Sequence, residues 1–165
     1  MHNLHISLTE FRNESRVLKE TSSLLRYGLY KKITIIALHA ADLPTFEALG
    51  ENYELIRIRI KSRSLPTNSL FQILKYIEFL CRVTMLALRK RPNTVNVHCL
   101  ALLPLGIFLK FVFGTKLIYD AHELETEVEG LKGLRQRFAR LVELYCIPAV
   151  DLIITVGPMI CDWYR

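Results

Sequence analysis

Two rhythms of apolar residues alternate along the chain. Leu4 to Leu8 is a short apolar-rich run, and Ile33 to Leu38 is a continuous β-branched stretch of the kind a strand covered on both faces requires. Between them Val17, Thr21, Leu24 and Leu25 recur at helical spacing, predicting a helix from about residue 14 to 27 that Gly28 stops. In "ELIRIRIKS" the residues alternate: Leu55, Arg57, Arg59 and Lys61 share one face and Ile56, Ile58 and Ile60 the other. That predicts a half-buried third strand near a sheet edge. Thr67, Asn68 and Ser69 offer an N-cap for a long helix whose Leu70, Leu74, Ile77, Cys81, Met85 and Leu88 step down one face and which ends at "RKRP".

The second half repeats the alternation. "TVNVHCL" and "TKLIYDAHE" predict strands four and five, separated by an almost wholly apolar helix over 102–113 that Gly114 closes. A helix over 134–145 places Leu134, Phe138, Leu141 and Tyr145 on one side, with Arg135, Arg137 and Arg140 mostly away from it. "DLIITV" is a sixth strand, and Gly157-Pro158 opens a last helix. Strands alternating with helices imply an α/β, Rossmann-like three-layer sandwich around a mostly parallel six-stranded sheet, of expected order 3-2-1-4-5-6. A single domain over residues 1–165 is the expectation.

Composition narrows the picture only slightly. A formal charge of +6 favours an anionic partner without choosing among phosphate, nucleic acid and membrane headgroups. Cys81, Cys99, Cys146 and Cys161 are far apart and embedded in apolar runs, which predicts reduced core thiols and a cytoplasmic protein. The start of the chain lacks the pattern of a signal peptide, and the most apolar run, 99–113, is interrupted by Pro104 and Lys110 and is too short to span a bilayer.

In doubly wound sheets ligands bind beyond the carboxyl ends of the strands. The residues expected there are Arg12, Asn13 and Arg16 after strand one, His98 after strand four, and Asp120, His122 and Glu123 after strand five. No G-x-G-x-x-G follows the first strand and no P-loop occurs, which excludes the usual dinucleotide and nucleoside-triphosphate cradles. The stretch "YDAHELETE" admits three readings: a metal site, although H-E-x-x-H is missing; an acidic loop with Glu125, Glu127 and Glu129 leading into the next helix; or groups presented to a cleft. His98 reads either as a satisfied buried histidine or as a group that orients a hydroxyl or relays a proton. Basic and aromatic residues do not interleave, so nucleic acid is not an expected partner. Lys132, Arg135, Arg137 and Arg140 read either as a solvated face or as an amphipathic contact with a membrane surface.

Four stretches carry a family resemblance. "NESRVLKETSSLLRYG", the "VH" closing strand four, "LIYDAHELETE" and "VDLIITVGPMICDWY" together resemble the amino-terminal half of GT-B fold, retaining glycosyltransferases of family 4. The resemblance covers nearly the whole chain. It implies an acceptor-binding domain whose partner domain, absent here, grips the nucleotide sugar; the family's pair of glutamates separated by seven residues does not occur. It implies a hexosyltransferase acting on a glycan or lipid-linked acceptor in surface polysaccharide or glycolipid synthesis, with no metal or other cofactor. His98 matches the histidine that in similar enzymes lies against the transferred sugar and is the expected catalytic residue. Asp120, His122 and Glu123 match the D-x-H-E turn that faces the cleft, and Arg16 matches a position at the start of the first helix suited to phosphate. Two departures stand out: Cys99 where relatives often carry an acid, and "FRNE" where a glycine pair is common. The competing expectation is a non-enzymatic Rossmann-like module that binds an anionic partner.

Overall fold

A computed structural model describes residues 1–128 and 131–164. The chain divides into two compact units, Met1–Pro92 and Asn93–Arg165.

In the first unit, β1 (His2–Ile6), β2 (Lys32–Leu38) and β4 (Tyr53–Ile58) are parallel, and β3 (Phe46–Gly50) adds to β4 antiparallel, giving the order β3-β4-β2-β1. Ile33, Ile35 and Ala37 of β2 pack with Val17 of α1 (Ser15–Arg26) and with Tyr53 and Leu55. The alternate residues Thr34 and Ile36 are buried too, so β2 is covered on both faces, as its unbroken apolar run requires. Gly28, at φ +69°, lets the chain leave α1 through the left-handed region.

Two expectations need correction here. The third expected strand is β4, and it is not at the edge: β3 covers it. Arg57, expected on a polar outer face, is buried. Its guanidinium donates to the carbonyls of Glu10 (3.0 Å), Pro44 (3.1 Å) and Phe11 (3.2 Å) and is ion-paired with Glu47. The β3 hairpin left no trace in the apolar pattern because Phe46, Ala48 and Gly50 are all exposed.

The long helix α2 (Ser69–Lys90) starts where expected, with Asn68 Oδ1 accepting from the Phe71 amide at 3.0 Å. Its buried face is not the expected one. Phe79, Val83 and Ala87, spaced by one helical turn, point inward, whereas Leu70, Leu74, Ile77, Cys81, Met85 and Leu88 are exposed. The helix is apolar on two sides, and the side carrying the small Val83 and Ala87 is the one buried.

In the second unit β5 (Thr94–Val97), β6 (Lys116–Ala121) and β7 (Leu152–Thr155) are parallel and run in chain order. Among the described residues there are seven strands, one more than the expected six, the addition being β3. Helix α3 (Leu103–Phe113) packs on β5 and β6 through Gly106, where an added Cβ would lie 2.6 Å from Leu117 Cδ1 and 3.3 Å from Val97 Cγ1. Gly114, at φ +65°, ends it as expected. Asp151 tethers the start of β7: its carboxylate accepts from the Leu117 amide and pairs with Lys110, and these contacts hold it down at about 2. Helix α4 (Leu134–Cys146) again turns its expected apolar side outward, with Leu134, Phe138, Leu141 and Tyr145 exposed and Glu143 and Cys146 buried. The chain ends in the short α5 (Pro158–Trp163). Only Cys146 of the four cysteines is fully buried; all four are free, and the expectation of a core thiol fails for Cys81. Among the described residues no helix is long and apolar enough to cross a membrane.

Candidate functional site

β5 and β6 are adjacent and in register, Val97 opposite Tyr119, so the residues that follow Val97 and those that end β6 emerge side by side. His98 therefore meets Asp120: His98 Nδ1 lies 3.0 Å from Asp120 Oδ2, and His122 Nε2 lies 3.4 Å from the same oxygen. Asp120 has no accessible surface, His98 is 8% exposed, and His122 is half-buried. The two imidazoles are nearly parallel, 17° apart with centroids separated by 5.9 Å. One buried carboxylate thus faces two rings, hydrogen-bonded to His98 and within 3.4 Å of His122 Nε2.

His98, His122 and Glu123 line an open pocket of about 590 Å³. Arg135, Phe138 and Val142 of α4 also line it, with Arg135 and Phe138 on its open, solvent-exposed rim. Asp120 is not a lining residue; it stands behind the histidines and acts through them.

Glu125 closes the floor. Its carboxylate accepts from the Leu100 amide at 2.7 Å and from Tyr119 Oη at 3.2 Å, and burial pushes its titration up. Burial, reinforced by the Glu125 charge, pushes the Cys99 thiol up to about 12, so the residue that departs from the family pattern is a neutral thiol. Burial likewise raises Tyr119, which meets Tyr164 edge-on at 6.1 Å. Tyr164 donates to Glu143 at 2.8 Å and Thr126 Oγ1 donates to the same carboxylate at 3.3 Å, linking α5, α4 and the loop after β6.

The acidic stretch does not start a helix. α4 begins only at Leu134, behind Gly133, and has no acid in its first turn, so the expected pairing of these acids with a helix dipole does not occur. Glu125 is instead a structural acceptor, and Glu127 pairs with Arg140 at 2.9 Å. Glu129 lies outside the described residues.

The other expected site residues belong to the first unit. Arg12 is exposed but committed: it binds both carboxylate oxygens of Asp42 at 2.6 Å and Glu10 at 2.7 Å. Those hydrogen bonds from Arg12 hold the Asp42 carboxyl at about 2. Asn13 is exposed beside a shallow depression lined by Phe11, Leu18 and Glu47, and Arg16 sits half-buried on the first turn of α1. The residues that sequence reasoning missed are Glu125 as a floor acceptor, Phe138 at the pocket rim, and Arg57. The only signal for Arg57 was a charged residue inside an alternating strand.

No protein-family model matches the sequence, and no curated protein sequence matches it either. Solved structures do. A segment of sucrose-phosphate synthase from Thermosynechococcus elongatus superposes over 100% of this chain and 81% of its own, with a TM-score of 0.72 at 13% identity. The chain has the fold of part of sucrose-phosphate synthase. A longer structure of that synthase gives a TM-score of 0.75 at 13% identity over 100% of this chain, which spans 44% of its length. Arabidopsis thaliana UGT89C1, solved in complex with UDP-L-rhamnose, matches 93% of this chain with a TM-score of 0.57 and 13% identity, and again 44% of its own length is covered. At this identity the likeness establishes the α/β Rossmann-like architecture of these proteins and nothing finer.

Proposed function

We propose that the chain is the acceptor-side half of a retaining GT-B glycosyltransferase of the family 4 type. It would transfer a hexose from a nucleotide sugar to a glycan or lipid-linked acceptor in surface polysaccharide or glycolipid synthesis. The observation that carries this reading is His98, placed at the carboxyl end of β5, braced by buried Asp120 and lining a pocket. The shared fold adds support, since one neighbour was solved with UDP-L-rhamnose bound.

On this reading Asp120 is a positioning residue. In the tautomer whose Nδ1–H donates to Asp120, His98 would present Nε2 at its opposite edge as an acceptor for a sugar hydroxyl. His122 and Glu123 shape the acceptor side of the same pocket. Departure of the nucleotide diphosphate would draw on electrostatic stabilisation and on an oriented acceptor, and would need no metal. Cys99 contributes no nucleophile, because its thiol stays protonated. The nucleotide grip is assigned to a second domain, in line with the 44% of the longer neighbours that this chain spans.

The alternative, a module for an anionic partner, draws little from the first unit, where Arg12 and Arg57 are both committed to carboxylates. A peripheral membrane contact accompanies the enzyme reading. Leu134, Phe138 and Tyr145 are exposed on α4, and Lys132, Arg135, Arg137 and Arg140 supply cations beside them. Sedimentation with anionic vesicles at low salt is expected; protein that stays in the supernatant removes this contact.

The deciding experiment assays the product of the complete gene against a panel of nucleotide sugars. His98→Ala should lower turnover about 100-fold while the circular dichroism spectrum stays native, with a lowered unfolding midpoint because buried Asp120 loses a partner. Absence of any sugar transfer or hydrolysis by the unaltered protein defeats the reading. Turnover by the 165-residue chain alone would defeat the assignment of the donor grip elsewhere.

A further inference from the structure

The trio that braces the pocket has a second capability. Side-chain donor atoms of His98, Asp120 and His122 all lie within 4.8 Å of one another. A four-coordinate ion with bonds of ~2.0–2.2 Å holds neighbouring donor atoms about 3.3–3.5 Å apart. The two histidine nitrogens already stand 3.0 Å and 3.4 Å from Asp120 Oδ2, so two of the three donor spacings are close to those of a coordinated ion before any side chain moves. The two nitrogens lie within 4.8 Å of each other, and His122, half-buried at the pocket wall, is placed to adjust its spacing.

We propose that His98, Asp120 and His122 form a binding site for one divalent cation of the Zn²⁺ or Co²⁺ class. Two imidazoles and one carboxylate are the donor set preferred by borderline transition ions, whereas Mg²⁺ and Ca²⁺ take oxygen ligands. The buried Asp120 supplies the negative charge, and the backbone of adjacent, in-register strands fixes two of the three ligands. Cys99 lines the same pocket, but its sulfur is not among the donor atoms that cluster within 4.8 Å of one another.

The site differs from the other charged clusters of the chain. Glu10 and Asp42 are already neutralised by Arg12 and Arg63, whose guanidinium groups would repel a cation. Around Asp120 the partners are imidazoles, which can exchange a hydrogen bond for a coordinate bond.

A consequence for activity rests on the function proposed above. Coordination would take His98 Nδ1 away from Asp120 and place a positive charge beside the sugar-orienting ring, so the ion would slow transfer and a chelator would restore it.

Co²⁺ is the probe, because its visible d–d absorption reports a protein nitrogen and oxygen environment without any sugar present. Titration of the protein should saturate at one Co²⁺ per chain. His122→Ala should weaken binding at least ~10- to 100-fold, the loss that even changes around the ligands produce. His122→Asn, closer in size, serves if alanine disturbs the circular dichroism spectrum, and His39→Ala, in the other unit, should leave the titration unchanged. Binding that does not saturate at one equivalent, or that is equally tight in both His122 variants, overturns the site. Because the readout needs no nucleotide sugar, a failed transferase assay with intact Co²⁺ binding would remove the enzyme reading and leave the cation site standing.

Discussion

Each unit of the molecule buries one charged side chain near its strand ends, and the two use it oppositely. In the first unit Arg57 spends its donors on three backbone carbonyls and Glu47, all of them groups that hold loops in place. In the second, Asp120 is hydrogen-bonded to His98 and lies 3.4 Å from His122 Nε2, and both rings line a pocket. A buried charge satisfied mostly by main-chain carbonyls is a brace, because those carbonyls are fixed by the fold. One satisfied by pocket-lining imidazoles supports a site, because those rings can still bind, orient or exchange partners. The surface residues follow the same division: Arg12 is closed by Asp42 and Glu10, whereas Glu123 is exposed at the pocket.

The sharpest way to break this comparison is Arg57→Met. It leaves Glu47 and three carbonyls without their partner, and the expected loss is about 3–5 kcal/mol of stability, read as a lowered denaturant midpoint. A loss well under that range would mean that the loops find other partners and that Arg57 is no brace. Next in size is Gly106→Ala on α3, which drives a methyl group into Leu117 and Val97 beneath the strands that carry His98 and Asp120. Overpacking costs ~1–3 kcal/mol, which exceeds the ~0.5–1 kcal/mol that alanine gains in a helix. A stabilised variant would show that α3 has room to shift. The smallest effect belongs to Arg12→Gln, whose exposed ion pairs are screened by solvent, so the unfolding midpoint should stay within measurement scatter. A clear drop there would move Arg12 into the same class as Arg57.

Much of this was legible along the chain. The runs at 33–38, 94–97, 116–121 and 152–155 became parallel strands because each is a short stretch rich in β-branched and other apolar residues, and that is a local property. Gly28, Asn68 and Gly114 marked helix ends because caps also act locally. The candidate site was legible in part: His98 and His122 were expected on the same rim, since each closely follows a parallel strand. That Asp120 stands behind them rather than in the pocket was not legible, because alternation along β6 is obscured by the turn that follows it.

The failures share one cause. In α2 and α4 the larger apolar stripe is not the core face: Leu70, Leu74 and Met85, like Leu134 and Phe138, are exposed. Counting apolar residues on a helix says how many sides could be buried. Which side is buried depends on how closely the sheet can approach, and Val83 and Ala87 permit a closer approach than leucines do.

The sequence by itself determined the alternation of strands and helices, their ends, and which polar residues follow each strand, because these depend on neighbours a few positions away. Only the tertiary structure decided that Arg57 is a buried brace, that β3 shields β4, and that one carboxylate faces two histidines at a pocket. Those facts depend on distances between residues remote in the chain. No local pattern encodes them, because the cost of burying a charge is set by the partners that folding brings to it.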